Sequence, residues 1–212
     1  LKSIWQETRT GKPVSANYMK QLKKRLDEVY AVHPEFKQED NWICGAKITS
    51  FDHLLQQALA YEDSLGAPFS VYIHGDFNVD NIIYDPLEKK INFIDLHRSS
   101  YMDYVQDISV FMVSNYRLRV VDPVLRQRIL QQTHGFYDFA SAFSEKANDT
   151  SFDLRLALGL ARSFATSTRF VLDRTLARAM WLRARYLIER ALETAPDQAQ
   201  HFHLPVAHIM NG

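Results

Sequence analysis

Apolar residues along this chain recur first at helical and then at strand spacing, which divides it into three regions. Between Ser15 and Ala31, Tyr18, Leu22, Leu26 and Val29 repeat every three or four residues while Lys20, Lys23, Lys24 and Arg25 fall largely on the other side, predicting an amphipathic helix with a basic outer face. Pro34 closes that region. In "TSFDHLLQQALAYEDSLGAP", Ser50 is an N-cap candidate, Phe51, Leu54, Leu55, Ala58 and Leu59 form the apolar stripe, and Gly66 with Pro68 marks the stop. Three short β-rich runs follow, at Phe69–Ile73, Ile82–Tyr84 and Ile91–Ile94, the last two joined by "DPLEKK" with its Asp-Pro turn signal. Helical spacing resumes at Val105. Asp122-Pro123 then reads as a cap with proline at the first helical position, opening a long helix, and two more helices span roughly Phe152–Leu172 and Arg174–Glu193. The class expected is α+β, mainly α: helices around a small β-hairpin unit, as one domain over residues 1–212 without repeats or an obvious linker.

Composition narrows the function classes. With 212 residues, 46% of them hydrophobic, the chain is able to bury a substantial core without disulfides or structural metal. Lys plus Arg equals Asp plus Glu at 25 each, so overall charge favours neither nucleic acid nor an anionic membrane. No apolar run is long enough to span a bilayer. The single Cys44 suits a reducing cytoplasm and is expected to be a small buried residue. Arg178, Arg183, Arg185 and Arg190 read as a solvated helix face, and His201, His203 and His208 as part of a flexible or packed tail.

The chemistry concentrates in "VYIHGDFNVDNIIYDPLEKKINFIDLHRSS", where acids and amides stand at the ends of the apolar runs. An antiparallel hairpin centred on Leu87–Glu88 is expected to set Ile82 opposite Ile94 and Asn81 opposite Asp95, bringing two hard oxygen donors together at its open end. Such donors suit Mg²⁺, which fills its remaining positions with water and substrate phosphates. Asp76 lies on the loop entering the first strand of that hairpin and can face the same mouth, where a carboxylate is able to take a proton from an attacking hydroxyl. His74 is expected to be a buried residue that holds the loop, and Asp80 a solvated one. Asp103 reads either as a helix cap or as a contact for a cationic substrate.

"HGDFNVDN" followed by "FID" resembles the catalytic loop and metal-binding aspartate of the aminoglycoside phosphotransferase and choline kinase-like families, relatives of the protein kinases. The resemblance covers His74 to about Asp107 and implies the C-terminal lobe of a protein-kinase-like fold. It casts Asp76 as catalytic base, Asn81 and Asp95 as Mg²⁺ ligands in the ATP site, and Asp107 as the aspartate opening the next helix. The pattern departs from the family at Asn78, where many members carry His, and at His97, where many carry an acid. A glycine-rich nucleotide loop is not found in the first 70 residues, whose glycines are Gly11, Gly45 and Gly66. Lys47 in "WICGAKI" is only a weak imitation of the phosphate lysine. The function implied is an ATP-dependent phosphotransferase acting on a small-molecule hydroxyl, completed by an N-terminal lobe outside this chain. The runner-up is a non-catalytic kinase-like binding module, and a metal-dependent phosphohydrolase fits less well. No nucleic-acid or membrane partner is expected.

Overall fold

The computed structural model describes residues 1–15 and 17–211. Helix occupies 61% of it and strand 10%, so the class is α+β, mainly α. Helix α1 (Lys2–Thr8) runs into an extended segment bridged to the strand region through Thr10 N to Ser70 O, 2.9 Å. The basic amphipathic region forms two helices rather than one, α2 (Tyr18–Lys23) and α3 (Leu26–Val32). The break falls where Arg25 N bonds back to Leu22 O at 2.9 Å, an i→i+3 closure that tightens the last turn of α2. Tyr18, Leu22, Leu26 and Val29 are all buried nonetheless, as their spacing predicted; Ala16 lies outside the described residues.

A hairpin not anticipated from the sequence follows, β1 (Asn41–Ile43) with β2 (Ala46–Ile48). Its two-residue connection, Cys44–Gly45, has φ of 50° and 80°, the positive angles a tight hairpin turn demands. That geometry corrects the expectation for Cys44, which is exposed at the turn. Lys47 has its backbone in β2, and its side chain lies outside the described residues.

Helix α4 (Phe51–Glu62) starts at Ser50, whose Oγ accepts from His53 N at 3.3 Å. Next come β3 (Val71–Ile73), β4 (Ile82–Asp85), β5 (Lys90–Phe93) and a fourth, unforeseen strand β6 (Ser100–Met102), which pairs antiparallel with β3. Helices α5 (Val105–Tyr116), α6 (Pro123–Lys146), α7 (Phe152–Ser167), α8 (Arg174–Leu192) and α9 (Val206–Met210) complete the chain. The cap before Pro123 is present, with Asp122 Oδ1 accepting from Leu125 N at 2.9 Å.

Helix α5 is buried at all twelve positions and forms the axis of the core. Helix α7 lies against it at close range: a Cβ on Gly159 would sit 3.1 Å from Ser109 Cβ, so glycine is what lets the helices approach there. Trp5, Phe69, Tyr104 and Phe143 cluster at one end, Phe69 stacked on Tyr104 and Phe143 edge-on to it, with the Trp5 and Tyr104 ring centres 5.3 Å apart. The arginine face expected on α8 is only half correct. Arg178 and Arg190 are exposed, but Arg183 donates to Ile209 O at 2.8 Å and Arg185 to Thr49 O at 2.7 Å, tying the tail and the β2–α4 loop to α8.

Candidate active site

The loop between β3 and β4 is held from beneath by one buried carboxylate. Asp107, on the first turn of α5, accepts from His74 N through Oδ2 and from Gly75 N through Oδ1, both at 2.8 Å. Burial pushes its pKa up to about 6, against the lowering effect of those two N–H groups and of His74. Gly75 has φ of +85°, and a Cβ there would stand 2.3 Å from Arg98 O, so the chain passes Arg98 at a distance only glycine permits. His74 is buried, with Nδ1 accepting from Asp76 N at 3.3 Å; Nε2 is therefore the protonated nitrogen and donates to Ile94 O at 2.9 Å. One imidazole thus ties the Asp76 loop to the end of β5, the role expected of it.

Phe77 is buried between Phe93, Phe111 and Phe136 and pins the other side of the loop. Between those anchors, Asp76 turns its half-buried carboxylate outward. One oxygen accepts from Asn78 Nδ2, and the other is 3.0 Å from Arg98 Nη1. Asn81 donates from Nδ2 to Asp76 O at 2.8 Å, which leaves its amide oxygen as the side-chain acceptor.

The hairpin register differs by one residue from the expected one. Ile82 pairs with Phe93, and Asn81 O accepts from Ile94 N at 3.1 Å, so Asn81 stands opposite Ile94 rather than Asp95. The cause is at the turn: Asp85 Oδ1 accepts from Leu87 N and Glu88 N, and Lys89 takes φ of 52°, which sets the closing pair as Asp85 with Lys90. Asp95 follows in the left-handed region at φ 59°, one residue past the ladder, where its exposed carboxylate accepts from His97 Nδ1. The donor chemistry of the pair fits Mg²⁺: one amide oxygen and one exposed carboxylate, with water and phosphate needed to complete the coordination. Among the described residues no group of three or more His, Cys, Asp or Glu forms a metal cage of its own.

Asp103 is neither a cation site nor exposed. It is fully buried, paired with Arg155 Nε at 2.8 Å, while its Oδ1 accepts from Val105 N at 3.1 Å, near the start of α5. Asp80 is solvent-exposed, as expected.

Asp76 opens into a cavity of about 580 Å³ between α5, α7 and the 3₁₀ turn Thr168–Phe170. A second recess of about 280 Å³ shares Asp76, Arg98, Arg162 and Arg169 with it. These arginines were not singled out from the sequence, although a signal is present: Arg155, Arg162 and Arg169 recur every seven residues, placing charges on one face of an otherwise apolar segment. Arg162 is buried, and desolvation brings its pKa down to about 10, leaving it cationic at neutral pH.

The family model described as "ecdysteroid kinase-like family" matches residues 2–131, from α1 through the loop, the hairpin and α5 into α6. The chain belongs to the ecdysteroid kinase-like family. This is a protein-kinase-like family related to choline kinase and the aminoglycoside phosphotransferases, and its members are kinase-like phosphotransferases. A search of curated proteins returned no match. No helix among the described residues is long and apolar enough to cross a membrane. Family membership covers every residue of the candidate site up to Asp107, whereas Arg162 and Arg169 lie beyond the matched segment.

Proposed function

We propose that the protein transfers the γ-phosphate of ATP to the hydroxyl of a small molecule bound beside Asp76. The observation that carries this reading is the two-point grip of Asp107 on the backbone of His74 and Gly75, which aims the next residue's carboxylate into a cavity of substrate size. The acceptor oxygen bonds to the γ-phosphorus as the bond from that phosphorus to ADP breaks, and the hydroxyl proton passes to Asp76. A carboxylate has about four lone-pair sites, so Asp76 can accept that proton while Asn78 and Arg98 stay in place. Asn81 Oδ1 and Asp95 would hold Mg²⁺, which supplies charge neutralisation on the phosphates.

The proposed partner in the nucleotide site is a glycine-rich lobe for which residues 1–212 supply no sequence. Exposed Ile83, Tyr84, Ile91, Ile94 and Leu96, on the hairpin and the turn after it, support such a cover. Residues 1–212 alone are then expected to bind Mg-ATP more weakly than micromolar. A cytoplasmic setting agrees with the exposed thiol of Cys44. The second reading, a non-catalytic binding module, is favoured by Arg98 on Asp76 and His97 on Asp95, which occupy both carboxylates.

The deciding experiment follows radiolabelled γ-phosphate from Mg-ATP into hydroxylated compounds with the intact protein and with Asp95→Ala. Transfer that needs Mg²⁺ and weakens in the variant, together with reduced Mg-ATP affinity, is the expected result. Mg-ATP binding that is insensitive to Asp95 would remove the metal assignment, and absence of transfer would leave the module.

A further inference from the structure

Four buried side-chain nitrogen or oxygen atoms among the described residues have no hydrogen-bond partner, and two of them, Arg162 Nε and Arg169 Nη1, belong to residues lining the cavity of Asp76. Buried donors are almost always satisfied, because leaving one unmade forfeits its hydration without replacement. Guanidinium groups make the deficit larger, since a charge is desolvated as well. The partners Arg162 does have, Gln106 Oε1 at 2.8 Å and Ser109 Oγ at 3.3 Å, are both neutral. Arg169 has the exposed Glu28 carboxylate 3.4 Å from Nε and the Phe170 ring 4.5 Å from its guanidinium carbon, and neither satisfies Nη1.

The rest of the lining has the same sign. Arg98 and Arg117 add two more cations, and Asp76 is the cavity's only carboxylate. A cationic acceptor would meet four arginines there, with Phe170 as the sole aromatic ring and hence no aromatic cage. The two arginines with an unmade donor are also held in place rather than free to swing into water. Arg162 is stacked over Tyr18, 5.7 Å from the ring centre. The turn carrying Arg169 is fastened by His33 Nε2, which lies 3.0 Å from both Thr168 O and Val171 O. Ser163 and Thr166 on α7 and Ser114 on α5 also line the cavity.

We propose that the acceptor is a hydroxylated small molecule that itself bears an anionic group, a carboxylate, sulfate or phosphate, and that Arg162 and Arg169 bind that group in the cavity beside Asp76. This rests on the phosphotransferase reading for the word acceptor, though not for the existence of the anion site. Fixed guanidinium donors are suited to such groups because their planar fork matches two oxygens at once. The acceptor's anion then lies against α7 and the Thr168–Phe170 turn while its hydroxyl reaches Asp76, so charge recognition and reaction occur on different walls of one cavity.

The test uses the intact protein and two readouts. Inorganic sulfate is titrated against thermal stability at constant ionic strength in the parent, in Arg162→Lys and in the more accessible Arg169→Gln. Phosphate transfer is compared across matched pairs that both keep a free hydroxyl: glucose with glucuronate, and a dihydroxysteroid with its monosulfate ester. Expected are sulfate stabilisation of the parent, weakened about tenfold in apparent affinity in each variant, unchanged Mg-ATP affinity, and kcat/KM at least about tenfold higher for the anionic member of a pair. Equal sulfate response in all three proteins overturns the proposal. So does equal transfer to neutral and anionic members. Loss of Mg-ATP affinity in step with sulfate would assign the arginines to the nucleotide's phosphates and overturn it too. Sulfate binding that depends on Arg162, with transfer to no compound, would instead remove the phosphotransferase reading and support the anion site.

Discussion

Asp76 and Asp107 are both carboxylates of one loop system, and their surroundings separate their roles. Asp76 faces the cavity with charge partners on its rim, whereas Asp107 is wholly enclosed and spends both oxygens on backbone N–H groups. Asp76→Asn keeps the shape and removes the proton acceptor, so turnover in the intact protein is expected to fall 10²- to 10⁴-fold, to order of magnitude, with Mg-ATP affinity nearly unchanged. Full turnover in that variant would take Asp76 out of the chemistry. Asp107 makes a pH prediction. Its folded pKa of about 6 lies above the ordinary 3.8, so between those values the folded protein binds more protons than the unfolded chain. Stability from this group is therefore fully present below about pH 4 and is lost as pH rises to 6, with a ceiling of about 3 kcal/mol. Urea midpoints at pH 4.5 and 6.5 should show that fall in the parent and not in Asp107→Asn; an identical pH dependence in both would refute it. These roles could be read in part from the sequence, because the motif that resembles the kinase-like catalytic loop spans His74 to Asp107 without a long insertion. The pairing of Arg98 with Asp76 could not, since it depends on the tight return after β5.

At the scale of elements, the site is a crossing of two close passages. The β3–β4 loop runs under the Leu96–Arg98 turn at Gly75, and α7 runs against α5 at Gly159. Gly75→Ala must both occupy a positive φ and displace Arg98 O, so a loss above about 2 kcal/mol is expected along with most of the transfer rate. Gly135→Ala is the contrast: it lies within α6 with open space around its Cα, and the change is expected to stabilise by about 0.5–1 kcal/mol through helix propensity. Equal thermal midpoints for the two variants would show that the close passage has slack. Element types were readable where period and caps agree, as at Ser50, Asp122 and α4. They were not readable where a strand's partner is remote: β6 has three residues, no alternation to announce it, and a mate some 29 positions earlier, Tyr101 with Tyr72. The hairpin register failed for a local reason, the Asp85 turn, which shifts Asp95 past the ladder while keeping it beside Asn81's strand end.

Across the whole molecule, the cavity's walls are set by a buried charge network away from the chemistry. Arg155 on α7 bonds Asp103 through Nε and Asp149 through Nη1 and Nη2, each at 2.8 Å, while Tyr104 donates to Asp149 at 2.7 Å and Tyr18 to Asp103 at 3.1 Å. The residues involved come from α2, the β6–α5 junction, the α6–α7 loop and α7, so one guanidinium sets how α7, with Arg162 a further two turns along, sits against α5. Burial alone would raise the Asp149 pKa, and Arg155's hydrogen bonds and charge more than reverse it. Arg155→Met removes the cation and leaves two enclosed carboxylates uncompensated, a loss expected at about 3–5 kcal/mol near neutral pH. In that variant Asp149 gains a raised folded pKa, so its folded form takes up protons that the unfolded chain does not, and the deficit should shrink as pH falls toward 5. Chemical denaturation of parent and variant at pH 5 and pH 7.5 measures both quantities. A deficit under about 1 kcal/mol, or one that does not change with pH, would mean that packing rather than charge holds α7 in place.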